Sequence, residues 1–346
     1  MLFRSDAGAG SWDLLHVDIV LPREAAVVPS LAALSFPVSR FEREMRDLLG
    51  ITPDGHPDPR PLVRHGFWPD TFHPLRHDAV VPSFEDDGRP FPFTAVEGEG
   101  VYEIPVGPVH AGVIEPGHFR FSVLGETVLK MRARLYFTHK GTERLFAGRR
   151  PGDGVELAER VSGDTSVGHA VAFCQAVESL ADITIPLRAR NLRAALLELE
   201  RLYNHITDAG AIIADTGFPV GQSHCLRLRE HLLRLNKQIT GHRLLRGAVI
   251  PGGVRGIDAI DRDVVSRLER VVADFEEVID ICRENTLVAD RLEGTGRLLD
   301  RVARDFGVVG YVARACGVPH DARCDLPSGA YESRSEERRV GKECRL

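Results

Sequence analysis

Nine prolines crowd residues 51–100: Pro53, Pro57, Pro59, Pro61, Pro69, Pro74, Pro82, Pro90 and Pro92. Each removes a backbone donor and fixes φ, so neither a regular helix nor a central strand can form there. The segment is expected to run extended over another surface and to join two domains. Ahead of it, Trp12–Leu21 and Ala25–Val28 read as strands bounded by Pro22 and Pro29. Residues 39–49 read as a short helix. Ser39 is placed as its N-cap with Glu42 at the capping-box spacing, and Gly50 stops it.

Behind the prolines the pattern changes twice. Residues 101–138 alternate apolar and polar positions around Gly125-Glu126, which predicts a hairpin or small antiparallel sheet. From residue 156 the period is helical. Leu192, Leu196, Leu199, Leu202, Tyr203 and Ile206 share one face. Leu226, Leu233 and Leu235, with Ile239 nearby, share another. Ile260, Val264, Leu268, Val271, Val272, Phe275, Val278 and Ile279 make a third. Long helices separated by loops such as Pro251-Gly252-Gly253 predict a bundle. The fold class is therefore α+β: a truncated N-terminal α/β domain, an extended proline-rich linker, a small antiparallel sheet, then a long-helix bundle.

The ends read as foreign. Residues 334–344, RSEERRVGKEC, are the direct translation of what looks like a common sequencing adapter, and residues 1–5 are similar to the opposite adapter read from a GTG start. The expected division is 1–5 and 334–346 as adapter, 6–78 and 101–333 as domains, and 79–100 as linker. Setting the tail and Arg4 aside moves the formal charge from −6 to −9. An acidic chain without a basic stripe argues against nucleic acid as a partner. Hydrophobic residues make up 43% of the chain, ample for a core. No apolar run approaches the ~18 residues of a membrane span, and no signal peptide is visible. The chain is expected to be soluble or peripheral. Cys174, Cys225, Cys282, Cys316 and Cys324 form no CxxC pair and read as buried reduced thiols.

Four stretches carry candidate chemistry. The first joins FEREMRDLLGI (41–51), GHPDPR (55–60) and HPLRH (73–77). The second joins GPVH (107–110) and EPGHFRF (115–121). The third joins HKGTE (139–143), ERVSGDT (159–165) and Gly168-His169. The fourth joins Asn204-His205-Ile206, Asp215-Thr216-Gly217, Gly241-His242-Arg243 and Pro251-Gly252-Gly253. In order and spacing the first stretch closely resembles the C-type component of NADH-quinone oxidoreductase (complex I). The others resemble the large subunit, the D-type component in complex I, that complex I shares with the formate-hydrogenlyase type of membrane-bound nickel-iron hydrogenase. The resemblance runs from Trp12 to Tyr331 and includes VVGYVARA (308–315).

That resemblance implies the site. His118 falls where complex I has the histidine that approaches the quinone headgroup, and Asp215 where its aspartate partner stands. Such a pair can relay a proton. The alternative for Asp215 is a residue that merely ends its helix. His110, His139, Glu143, Ser162, Gly163 and Thr165 would line the pocket. The hydrogenases carry nickel-binding cysteines where this chain has Ser162 and Thr165, and complex I carries a quinone-contacting tyrosine where it has Gly163. A hydroxyl does not replace a thiolate on a soft metal at neutral pH. No cofactor is expected to be bound by this chain itself, and a nickel-iron centre is not expected.

Quinone is the expected substrate. An iron-sulfur cluster is expected in a small partner subunit, near Lys140 and Arg243, with membrane-arm subunits beyond it. The location implied is the inner face of the cell membrane, on the cytoplasmic side. The function implied is an electron-transfer subunit coupling that cluster to quinone or a similar acceptor. Two alternatives stand beside it: a non-catalytic scaffold with a vestigial site, and a nickel-iron hydrogenase large subunit.

Overall fold

A computed structural model describes residues 2–4, 12–14, 17–85, 88, 91–109, 116–257 and 260–334. Residues 335–346, Met1, Ser5 and His110 lie outside them, so most of the adapter reading and the placement of His110 do too. The chain divides into two compact units, one of residues 14–144 and 300–309, the other of 2–13, 145–299 and 310–346. Among the described residues, short strands Leu2–Arg4 (β1) and Trp12–Leu14 (β2) pair with one another.

In the first unit, Val27–Pro29 (β3) pairs in parallel with Thr52–Asp54 (β4), and helix Phe36–Leu49 (α1) connects them. The α/β reading of this part holds, with three corrections. Residues 17–21 form no strand and lie mostly exposed. Helix α1 begins at Phe36 rather than Ser39, because Pro37 suits a first helical turn. The capping box does not form. The Ser39 hydroxyl meets His56 Nε2 at 3.2 Å, and the Glu42 carboxylate accepts from Ser30 Oγ at 2.6 Å and Leu31 N at 2.7 Å. Glu42 thus fastens the loop before the helix. Gly50 ends α1 in the left-handed region, φ 74°.

Beyond β4 the described residues of the proline-rich segment stay irregular, and side chains hold them. Asp47 on α1 is 2% exposed and accepts from the backbone N–H of Leu62, Val63 and Arg64 at 2.7, 3.0 and 3.2 Å. Arg134 donates to the carbonyls of the same three residues. Arg43 and Arg46 bind the carbonyls of Pro59, Arg60 and Pro61. A segment that cannot pair its own backbone is satisfied from both sides. Asp47→Ala strands the buried N–H of Val63 and the part-buried N–H groups of Leu62 and Arg64. The expected cost is about 3 kcal/mol or more, read as lost hydrogen-exchange protection at residues 62–64.

Three antiparallel strands follow: Val101–Val109 (β5), Gly117–Leu124 (β6) and Thr127–Arg134 (β7), in that order. This is the sheet that the alternation of apolar and polar residues predicts. Thr142–Phe146 (α2) comes next, and Asp300–Asp305 (α9) returns to this unit, where Phe306 packs on Phe36 at 4.5 Å.

The second unit is the helix bundle. Its helices are Pro151–Ala158 (α3), Ser166–Leu180 (α4), Leu187–Asp215 (α5), Pro219–Thr240 (α6) and Arg262–Glu284 (α7), then Thr286–Leu292 (α8). Val249–Ile250 (β8) and Gly253–Val254 (β9) make a hairpin. Gly310–Ala315 (α10), Ala322–Asp325 (α11) and a 3-10 turn, Gly329–Arg334, close the unit. The core gathers Leu196, Tyr203, Ile206, Leu228, Leu232, Val271 and Val278. A Cβ at Gly210 would sit 2.7 Å from Cys225 Cβ, so glycine is what lets α5 and α6 approach there.

The helical faces read from the sequence hold, except that Leu226 is 48% and Val272 37% exposed, and Leu228 and Leu232 take the core positions on α6. Spacing alone leaves the rotation of α6 open by one step. Cys174, Cys225 and Cys282 are buried free thiols, and burial pushes the first two up to about 11. Cys316 and Cys324 are only partly buried, because they lie on or beside short peripheral helices. Among the described residues no helix is long and apolar enough to cross a membrane.

Candidate functional site

The turn after α3 carries Ser162, Gly163 and Thr165, and the bundle ties it down. Asp164 O accepts from Tyr203 OH at 3.1 Å and from Asn204 Nδ2 at 2.8 Å. Ser166 Oγ accepts from Arg246 Nε at 3.2 Å, and the N–H of Gly247 donates to Glu159 Oε1 at 2.5 Å. Glu200, 2% exposed, accepts from the first-turn N–H groups of α4, Val167 at 2.6 Å and Gly168 at 2.9 Å. Burial pushes this carboxyl up to about 7 against those two hydrogen bonds, and Asp164 adds to the rise. Burial likewise raises Glu159. A Cβ built on Gly163 would meet nothing within 4 Å.

Thr165 precedes α4, and its hydroxyl is engaged, 2.9 Å from His169 Nδ1. This bears on nickel, which the hydrogenase resemblance implies. Nickel needs thiolates, and the two positions offer hydroxyls of far higher pKa, one of them already in a hydrogen bond. Among the described residues no group of three or more His, Cys, Asp or Glu side chains is placed to hold a metal ion. These residues do not fit a thiolate-bridged nickel centre.

The other predicted residues fall in both units. His118 lies on β6. Its Nδ1 faces Gly107 O at 3.1 Å, its ring lies 5.5 Å from that of Phe93, and Nε2 is buried without a partner among the described residues. If Nδ1 donates to that carbonyl, a neutral ring keeps its lone pair on Nε2. His139 and Glu143 are exposed, and their charges act on Glu44. Burial raises Glu44 most, Glu143 raises it further and His139 opposes. Lys140 is exposed.

Asp215 is the last residue of α5 and is exposed. His118 and Asp215 thus belong to different units. Arg243 forms a two-point ion pair with Glu230, at 3.0 and 2.5 Å, and Glu230 also takes Arg234. The Arg243 and Arg234 guanidinium groups hold Glu230 down at about 2. Two clefts between α6 and α7 include none of the predicted site residues, though Arg234 lines the larger. The smaller, about 230 Å³, is lined by Phe218, His224, Arg227 and Ile281 among others.

Two family profiles match the chain. The respiratory-chain NADH dehydrogenase 49 Kd subunit matches residues 215–345, and the 30 Kd subunit of the same enzyme matches residues 8–85. Formate hydrogenlyase subunit 5 of Escherichia coli (strain K12) is 34% identical over 326 residues, 92% of this chain and 56% of that protein. The carbon monoxide-induced hydrogenase of Rhodospirillum rubrum is 31% identical over 246 residues, 70% of this chain and 68% of that protein. This chain belongs to the large-subunit family shared by complex I and the membrane-bound hydrogenases.

The complex I branch is represented by the fused C/D-type NADH-quinone oxidoreductase chain of Gluconacetobacter diazotrophicus, 28% identical over 95% of this chain and 58% of that protein. The C-like and D-like order read from the motifs is the order of the two profiles. By name these relatives belong to a formate hydrogenlyase, a hydrogenase and an NADH-quinone oxidoreductase. The chain spans about half the length of its first curated relatives, 56% and 49%.

Sequence reading missed Glu200, Glu178 and Arg193. Each sits on the buried face of a helix otherwise filled by apolar residues, as Glu200 does between Leu196 and Tyr203. A charge in register with a core stripe was the available signal.

Proposed function

We propose that this chain is the electron-transfer subunit of a membrane-associated complex, coupling an iron-sulfur partner subunit to reduction of a quinone or a similar apolar acceptor without nickel. One observation carries the reading. The turn 161–165 is held by Tyr203, Asn204 and the α4 anchorage of Glu200, yet offers Ser162 and Thr165 where nickel would need thiolates. The turn is firmly anchored, and it carries hydroxyls in place of soft ligands.

In this reading His118 Nε2 serves the acceptor, and Asp215 is assigned, by resemblance, a part in handling the proton. The iron-sulfur partner docks near Lys140 and Arg243, and the subunit sits peripherally on the cytoplasmic face of the membrane arm. Glu230 is shared by Arg243 and Arg234, so the cluster keeps a net positive charge at that contact.

The test uses the whole complex from its source. Nickel is expected well below one atom per complex, with quinone reductase activity falling about 100-fold or more in His118→Ala. Stoichiometric nickel would overturn the reading. Activity untouched by His118→Ala and by Asp215→Asn would leave the subunit a scaffold.

A further inference from the structure

The sheet β5–β6–β7 sets two arginines directly opposite one another. The register pairs Arg120 on β6 with Arg132 on β7, and Ser122 with Lys130 beside them. Like charges facing across a strand pair are destabilising. Arg132 is only 7% exposed. One of its terminal nitrogens, NH2, donates to Glu103 Oε1 and to Ser122 Oγ, both at 2.5 Å. Its other terminal nitrogen, NH1, and its Nε are buried with no partner among the described residues, and so is Arg120 Nε. Six buried side-chain polar atoms are orphaned among the described residues, and these guanidinium groups supply three of them.

The local charge balance is positive. Glu103 is 2.5 Å from Arg132, 3.6 Å from Arg120 and 37% exposed. Against that carboxylate stand Arg120, Arg132, Lys130 and Arg134, the last spending its N–H groups on the carbonyls of residues 62–64. Aromatic rings roof the face. Phe93 lies 4.5 Å from the Arg120 guanidinium carbon, and Phe91 lies 4.4 Å from that of Arg134. The rings partly cover these guanidinium groups, and where they displace water they strengthen an electrostatic interaction beneath them. Each stranded donor is costly, and a buried charge without a full set of partners more so.

We propose that this face binds an oxyanion, a phosphate or a carboxylate, which bridges Arg120 and Arg132 and accepts from their unpaired N–H groups. Such a group carries several acceptor oxygens and a negative charge, so it supplies the missing partners and relieves the arginine-arginine repulsion together. Guanidinium groups suit this recognition because their donors are fixed in a plane and always charged. The site is independent of the electron-transfer reading.

The probe is inorganic phosphate, measured by equilibrium dialysis at low ionic strength on the full-length subunit in its complex. Wild type is expected to bind phosphate saturably. Acetate should displace it if the site takes carboxylates as well, and leave it bound if phosphate alone fits. Arg132→Gln and Arg120→Gln should each weaken binding about tenfold or more. Phosphate should raise the unfolding temperature of wild type and not of Arg132→Gln. Arg120, 31% exposed, guards against a folding failure at the more buried Arg132. Absence of saturable binding in wild type, or equal binding in wild type and both variants, overturns the proposal.

Discussion

Arg193→Ala is expected to lower the unfolding free energy of the subunit by about 3–5 kcal/mol. The Arg193–Glu178 ion pair is 5% and 4% exposed and makes two contacts, at 3.0 and 2.6 Å. Arg193 also donates to Gly253 O at 3.1 Å and Ile250 O at 2.7 Å, and Glu178 accepts from Gly252 N at 2.7 Å. This one pair therefore fastens α4, α5 and the hairpin β8–β9. Removing the arginine leaves a carboxylate buried with only the Gly252 N–H. It also frees two carbonyls in the hairpin. Replacing both residues together by leucine removes the stranded charge, so the double variant should lose less than Arg193→Ala. Urea unfolding of the two variants checks this ordering. A double variant less stable than the single one would show that the hairpin hydrogen bonds, not the charge, dominate.

Glu200 is expected to make stability depend on pH in the sense opposite to an ordinary ion-paired carboxylate. Burial raises it from 4.5 to about 7, and no cation lies within ion-pair distance of it among the described residues. Its contribution is fully present below the unfolded value of 4.5 and is lost as pH rises through 7, because the folded state holds the proton more tightly. The shift corresponds to roughly 3 kcal/mol across that window. Glu200→Gln cannot titrate. Its amide also offers a donor where one of the two α4 N–H groups needs an acceptor, which lowers stability by a pH-independent amount of about 1–3 kcal/mol. The variant should thus compare worst with wild type near pH 4.5 and gain on it by roughly 3 kcal/mol by pH 8. Unfolding temperatures across that range give the result. A constant difference would mean that the carboxyl stays ionised throughout.

The same residue shows where the candidate site was legible. The order of HKGTE, ERVSGDT, Asn204-His205-Ile206 and Asp215-Thr216-Gly217 singled out the stretch 159–165, while the contacts of Tyr203 and Asn204 with Asp164 O are seen only in the structure. The absent thiolates were equally plain, since donor chemistry follows from residue type. Glu200 escapes such a reading because a carboxylate on a long helix is usually solvated, and nothing local says that α4 ends against it. Ser39 and Glu42 mark the converse. Their spacing suits a capping box, but Pro37 starts the helix earlier and Ser30 offers Glu42 a better use.

What the sequence by itself determined is what short-range geometry controls. Proline density kept the described residues of 55–100 free of regular structure, alternation made the strands of β5–β7, and the helical period made α5, α6 and α7. These depend on backbone φ, donor supply and which face can leave water, all of which are set within a few residues. Tertiary structure decided the rest. Strand register put Arg120 against Arg132, helix crossing put Arg193 against Glu178, and the approach of α4 to α5 sealed Glu200 from water. Each is a desolvation or charge-pairing energy between residues 12 to 33 positions apart. Its size is fixed by the packing that surrounds the pair, which no local pattern encodes.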